Sequence, residues 1–247
     1  MTTETITMTA PSAANRDTSP RTAARIAGVS YVALFFLGVF ANFFVLEGLI
    51  VTDDAQATAA NIIESEVLFR LGMVGFLIIF FLDVIIAWAL YILFRKANRD
   101  VSLLAAWFRL VYTVFLGAAL IYLFQALQLL SDTEFLTVFE TNQREAQALV
   151  ALETFNSAWL IGLSAFGIHL MLLGGLVLQS RYAPKALGYA LVAAGAAYVV
   201  DTVAHTALTN YADYETLFLI IVAVPSIIAE GWMGLWLLLR AGKSPKK

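Results

Sequence analysis

The sequence predicts an all-α fold: a polytopic transmembrane helical bundle of six spans, with both termini cytoplasmic and short extracytoplasmic amphipathic helices. Three observations lead there. Of 247 residues, 61% are hydrophobic and 13% charged, where soluble domains carry about 25% charged residues. The mean hydropathy is +0.82. The apolar residues also gather into six blocks, near 26–48, 71–94, 104–130, 155–179, 186–208 and 216–239. Each is long enough to cross a ~30 Å hydrocarbon core at ~1.5 Å per residue.

The first block follows MTTETITMTAPSAANRDTSPRTAAR, a Thr-, Ser- and Ala-rich stretch without an apolar run. Such a segment cannot bury enough surface to offset its ordering entropy, so residues 1–24 read as a disordered cytoplasmic tail. The run IAGVSYVALFFLGVFANFFV exceeds the ~7–15 residues of a signal-peptide core and reads as a retained span. The membrane domain covers 25–241, and a basic cytoplasmic tail covers 242–247. No cysteine is present, which excludes disulfides, thiolate metal sites and cysteine nucleophiles.

Charge sets the orientation. Arg16, Arg21 and Arg25 precede the first span, and Arg95, Lys96 and Arg99 follow the second. Arg181 and Lys185 follow the fourth, and Arg240, Lys243, Lys246 and Lys247 follow the sixth. Twelve of the fifteen basic residues therefore fall on one side, the cytoplasmic side by the positive-inside rule. The alternate connections are acidic, with Asp53, Asp54, Glu64, Glu66, Asp132, Glu134, Glu140, Glu145, Asp213 and Glu215. No basic stripe exists to bind nucleic acid; the expected partner is the lipid bilayer of a bacterial inner membrane.

Two acidic connections are long enough to fold. In VTDDAQATAANIIESEVLFR, Asp53 or Asp54 can cap a helix with Ile62, Ile63, Val67 and Leu68 as apolar positions. In DTEFLTVFETNQREAQALVALETF, Phe135, Leu136, Val138 and Phe139 precede a second group from Ala146 to Leu152. Both fit short amphipathic helices at the outer headgroup level or a cap over the bundle. The cytoplasmic turns RKANRD and RYAPKALG are tighter.

Several blocks, in order, carry a resemblance. RIAGVSYV, DDAQATAANIIESEVLFRLG, FLDVIIAWALYILFRKANRDVSLLAAWFRLV, GIHLMLLGGLVLQSRYAPKALGYALVAAGAAYVVDT and AEGWMGLWLLLR together resemble the bacterial membrane proteins known as domain of unknown function 4386, over roughly residues 21–241. The resemblance implies a multi-span integral membrane fold of uncharacterised activity. It supplies no catalytic residues.

Chemistry must then lie with the polar residues inside spans. Asp83, Arg109, His169, Asp201 and Glu230 form the candidate buried cluster. Asp or Arg costs about 2.5–3.5 kcal/mol at mid-span on insertion scales, so each should face the bundle and find a partner. Ala193, Ala197, Asp201 and His205 recur every four residues and predict a close-packing stripe on the fifth span. Ser226, Glu230 and Gly234 do the same on the sixth, after a kink expected at Pro225. Counting along the spans places Asp83, His169 and Glu230 near mid-depth, Arg109 about 12 Å towards the cytoplasm and His205 about 12 Å outwards. Glu47, Gln125, Gln128 and His205 make an outer rim.

Three functions compete. The first is an integral membrane protein of unknown activity whose buried polar network is structural. The second is a proton- or cation-coupled transporter of a small solute, with Asp83, Asp201 and Glu230 as the relay and His169 as a titrating step. The third is a metal-dependent intramembrane hydrolase using His169, Asp201 and His205. Two histidines are a thin ligand supply, and no Ser-His-Asp set, P-loop or dinucleotide motif occurs. The sequence therefore assigns no catalytic residue, no metal and no cofactor, and favours a protein that is not an enzyme.

Overall fold

A computed structural model of the chain describes residues 18–180 and 183–239. Helices account for nearly all of it, and six of those helical segments are long and apolar enough to cross a membrane. The tail before Thr18, Arg181 and the basic end from Arg240 to Lys247 lie outside the described residues.

The first span, Pro20–Leu49, is built in three pieces. Helix α1 (Pro20–Gly38) opens with proline at its start and Ser19 as cap, whose hydroxyl accepts the Thr22 N–H at 3.1 Å. Residues 20–24 are therefore helix rather than tail, and Ala23 and Ala24 are fully buried. Over Val39–Leu46 the helix widens, so that the Glu47 N–H reaches back five residues to the Asn42 carbonyl. A last turn, α2 (Glu47–Leu49), closes the span.

The acidic connection after it folds as α3 (Ala55–Glu64). Asp54 is the cap, accepting the Ala57 N–H at 2.9 Å, while Asp53 takes a left-handed conformation (φ 60°) that Asp tolerates better than most residues. Thr58 Oγ1 bonds both the N–H and the carbonyl of Val51, and Asn61 donates to the Leu49 carbonyl, so α3 is tied to the end of the first span. The expected helix through Val67 and Leu68 breaks at Ser65; those two residues open α4 (Glu66–Phe94) instead.

A tight turn capped by Asn98 leads into α5 (Arg99–Leu129). One short helical turn, Glu134–Val138, precedes α6 (Thr141–Gln179), whose start carries a reciprocal capping box between Glu140 and Gln143. The Ala146–Leu152 group is thus no separate surface helix. It is the first third of a single 39-residue helix, about 58 Å long, which overruns a ~30 Å core. Helix α3 packs against it. Helix α7 (Lys185–Ala207) comes next in the chain, with Pro184 at its cap. A helical turn at Tyr211–Tyr214 then leads to α8 (Glu215–Leu239), which runs on through Pro225.

In space the spans form a closed ring in chain order: α1 packs on α4, α4 on α5, α5 on α6, α6 on α7, α7 on α8, and α8 back on α1. Gly28 of α1 lies against the backbone of Leu238, which puts the start of the first span and the end of the last on the same side. Glycines set how closely the ring closes. A Cβ on Gly167 would stand 2.5 Å from the Gly195 carbonyl oxygen, and one on Gly174 would stand 2.6 Å from that of Gly188. Seven residues is nearly two helical turns, so these pairs form one antiparallel seam between α6 and α7. The widened part of the first span meets α4 in the same way. Val45 fills the space over Gly72, and Ala41 lies over Gly75.

The seam corrects the four-residue stripe expected on the fifth span. The buried face of α7 is Leu187, Gly188, Leu191, Ala194, Gly195, Ala197 and Thr202, while Ala193 and His205 are exposed. A seven-residue spacing of glycines wins because backbone-to-backbone contact needs the absence of a side chain, whereas alanine is tolerated on any face.

Gly174→Ala places a Cβ against a backbone carbonyl, while a Cβ on Gly175 would point into open space, with nothing within 4 Å. Gly174→Ala is expected to lower stability by about 1–3 kcal/mol and Gly175→Ala to stay within about 0.5 kcal/mol. Thermal melting of the two purified variants in one detergent checks this; equal melting temperatures refute the seam.

Candidate functional site

The polar residues inside the ring converge on one guanidinium. Arg109 stands ten residues into α5 and Asp83 eleven residues before the end of α4, so the tight turn between those helices brings both to one level, about 15–17 Å from it. His169 lies ten residues before the end of α6, and Tyr31 eleven after the start of α1. Glu230, nine before the end of α8, completes the layer. In a bilayer with a ~30 Å core the layer lies near mid-depth. The expected separation of Arg109 from Asp83 along the bundle is not seen, since the two are bonded at one level. α5 begins at Arg99 rather than 104, and those five residues move Arg109 inward by about 7 Å.

Within the layer Arg109 is buried, with 1% exposure. Its Nε and Nη2 both donate to Asp83 Oδ1, at 2.9 and 2.5 Å. Nη1 donates to the Tyr31 hydroxyl at 2.9 Å and to His169 Nε2 at 3.2 Å. Four of the five N–H donors of a guanidinium are thereby used. The cation also lies 5.0 Å from the Tyr31 ring centroid and 5.2 Å from that of Phe166.

His169 has its state fixed by its neighbours. A backbone carbonyl can only accept, so Nδ1 donates to Ala105 O at 2.8 Å; a guanidinium can only donate, so Nε2 accepts. One neutral tautomer satisfies both bonds. Asp83 is less fully used, because both arginine bonds go to Oδ1 while the buried Oδ2 has no hydrogen-bond partner. Glu230 is half-buried and accepts the Tyr198 hydroxyl at 3.1 Å, and the Tyr198 ring packs 5.6 Å from that of Phe166. Gly234, one turn further along α8, faces Tyr31.

Asp201 does not join this layer. Its Oδ1 accepts the Tyr211 hydroxyl at 2.7 Å, and His205, exposed, packs its ring 4.4 Å from that of Tyr211. Tyr211 in turn stacks on Phe218. This is a second polar group, sixteen or more residues along α7 from Lys185, about 24 Å or further from that end. Of the expected rim, Glu47 bonds Asn42 at 3.0 Å and is exposed, as are Gln125 and Gln128. Five residues along a regular α-helix leave two side chains on different faces; the widened turn brings these two within reach.

The hydrolase set falls apart on this geometry. His169 is held by Arg109 and Ala105, Asp201 by Tyr211, and His205 lies at the exposed end of α7. Among the described residues no three His, Asp or Glu side chains gather as metal ligands. Sequence reasoning missed Tyr31, Phe166, Tyr198 and Tyr211. The offset of Tyr31 from the start of α1, close to that of Arg109 from the start of α5 and of His169 from the end of α6, is the signal that could have found it.

Fold and layer together define a multi-pass helical membrane protein with a buried arginine-centred network. The chain belongs to the family described as Domain of unknown function (DUF4386), which matches residues 26–241. It is also 29% identical over 172 residues to an uncharacterized protein of Archaeoglobus fulgidus, covering 70% of this chain and 85% of that one. No solved structure matches the chain.

Tyr31→Phe leaves one Arg109 N–H without its acceptor in a dry site and should destabilise by about 1–3 kcal/mol. His205→Ala removes only a ring contact at an exposed position and should cost less than about 1 kcal/mol. Melting temperatures of the two variants check the order; a more sensitive His205 would relocate the important site to the second polar group.

Proposed function

We propose that the chain is a bacterial inner-membrane protein with both termini in the cytoplasm, whose arginine layer acts as a structural clasp. The observation that carries the clasp is how fully Arg109 is engaged: four of its five N–H groups are bonded and two rings lie beside it, all from side chains of three other spans. A guanidinium held this way fixes the rotation and depth of α1, α4, α5 and α6 relative to one another. Orientation is supported by the charges. In the sequence, the stretches leading into α1, joining α4 to α5, joining α6 to α7 and following α8 hold twelve of the fifteen basic residues.

A second reading, a proton- or cation-coupled small-solute transporter, is favoured by the bare Oδ2 of Asp83. A buried acceptor without a donor is where a moving proton or cation would bind. The structural reading comes first because the remainder of the layer is closed by bonds among its own members.

Two experiments test this reading. In a double-mutant cycle, Asp83→Leu alone should destabilise by about 3–5 kcal/mol, since it strands a buried cation, and adding Arg109→Leu should recover much of the loss. Losses that simply add would remove the clasp. For orientation, a reporter active only in the cytoplasm should work when fused after Lys247 and fail at Asp54, Glu140 or Asp213. Cytoplasmic activity within 131–154 would overturn the placement of the third and fourth spans.

A further inference from the structure

Charge in the mid-membrane layer does not balance with every carboxyl ionised. The guanidinium of Arg109 stays protonated in proteins and supplies one fixed positive charge. His169 supplies none, because its two ring nitrogens are committed as one donor and one acceptor. Two carboxyls answer this single cation. Asp83 does so by direct hydrogen bonds from α4; Glu230, on α8, accepts from Tyr198, whose ring packs 5.6 Å from that of Phe166, the ring beside the guanidinium. Among the described residues, the other titratable groups near Glu230 are phenols: Tyr31 on α1, Tyr112 on α5 and Tyr198 on α7. Phenols donate hydrogen bonds but bring no positive charge. A second carboxylate without a counter-ion in a low-dielectric interior is far costlier than a carboxyl that keeps its proton.

A separate observation points the same way. Asp83 Oδ2 is buried and accepts from nothing, although its twin oxygen takes two bonds from Arg109. An ionised carboxylate with one saturated and one bare oxygen has an open place for a proton. The layer thus contains two places for a proton and enough positive charge to expel only one.

We propose that Asp83 and Glu230 share one exchangeable proton near mid-depth. It rests on Glu230 while Asp83 neutralises Arg109, and it moves to Asp83 Oδ2 when Glu230 takes over as the counter-charge. The layer is neutral in both forms: one proton changes carboxyl, the guanidinium is unchanged, and no other bond forms or breaks. Glu230→Gln mimics the protonated form, keeps an acceptor for Tyr198, and leaves the Arg109–Asp83 pair untouched. The inference rests on the clasp in one respect, that Arg109 is a fixed cation paired with Asp83; it goes beyond it by giving the layer a ligand.

Infrared spectroscopy of the full chain in lipid nanodiscs, titrated from roughly pH 5 to pH 9, reads the proton through the carbonyl stretch of a protonated carboxyl. Wild type should show one such band at neutral pH. Glu230→Gln should lose it, and Asp201→Asn should keep it. Asp83→Asn should also lose it, because Glu230 must then ionise to neutralise Arg109. A band of equal intensity in wild type and Glu230→Gln overturns the proposal, as does a band that vanishes in Asp201→Asn alone. Should a variant fail to fold, the wild type still decides: absence of any protonated-carboxyl band at neutral pH overturns the proposal, and one band titrating as a single proton supports it. Failure of the clasp would appear instead as additive losses in the Asp83–Arg109 melting cycle, so the two ideas fail separately.

Discussion

A single guanidinium buried among apolar helices constrains this molecule more than any other group. Arg109 cannot shed its proton, and its side chain has 1% exposure. The chain must therefore bring acceptors to it, or the helix carrying it would not settle at that depth. Asp83 is delivered by the shortest route, the tight turn that folds α4 back along α5. His169 comes from the next helix, and Tyr31 from the first span. The planar fork of arginine matters here. A lysine presents a point charge, whereas the guanidinium bonds three different side chains at once and lies 5.0 and 5.2 Å from two ring centroids.

That requirement explains why the helices meet as they do. Bonds of about 3 Å from one side chain to three neighbouring helices demand close axes, and lipid offers no hydrophobic drive to bring helices together. The seams supply it through shape. Gly167 with Gly195 and Gly174 with Gly188 bring α6 and α7 into backbone contact, and Gly72 and Gly75 accept the widened first span against α4. The His169 level falls between the two glycine pairs of α6, so its ring is carried on the most closely seated part of that helix. Packing sets the distances that the polar layer then uses.

The six spans were legible because apolar blocks of twenty or more residues have few other meanings. Four of the five ionisable residues inside spans were legible as a cluster for the same reason: a charge inside such a block must find a partner. Depth was less legible. Hydropathy places a boundary where polar residues thin out, but α5 begins among Arg99 and Asp100, and that shift separated Arg109 from Asp83 on paper. Tyr31 was invisible because a tyrosine in an apolar run breaks no rule. Asp201 was misassigned because its partner, Tyr211, sits in a connection, where a helical-face argument cannot look. The continuity of α6 was hidden by Arg144, Glu145 and Glu153, which read as loop chemistry but lie on the part of the helix that outruns the bilayer core.

The two polar groups differ in kind, and the difference bears on what the protein can do. At the far end of α7, Asp201, Tyr211 and His205 are partly open, so water can stabilise whatever charge they carry. At mid-depth no such help exists, and charge must be balanced by the layer itself. A purely structural pair would need one acid for one base. The presence of Glu230 beside a pair that is already neutral adds a carboxyl whose charge the clasp does not need, on a helix that none of the four Arg109 bonds reaches. Arg109 does not bond α7 either, but the glycine seam holds α7 to α6. Helix α8 closes the ring between α7 and α1, so a change in the charge of Glu230 bears on the one wall that neither the clasp nor the seam secures. That wall is held by contacts of its own: the Tyr198–Glu230 bond to α7, Leu238 against Gly28 of α1, and Trp236 stacked on Phe94 of α4.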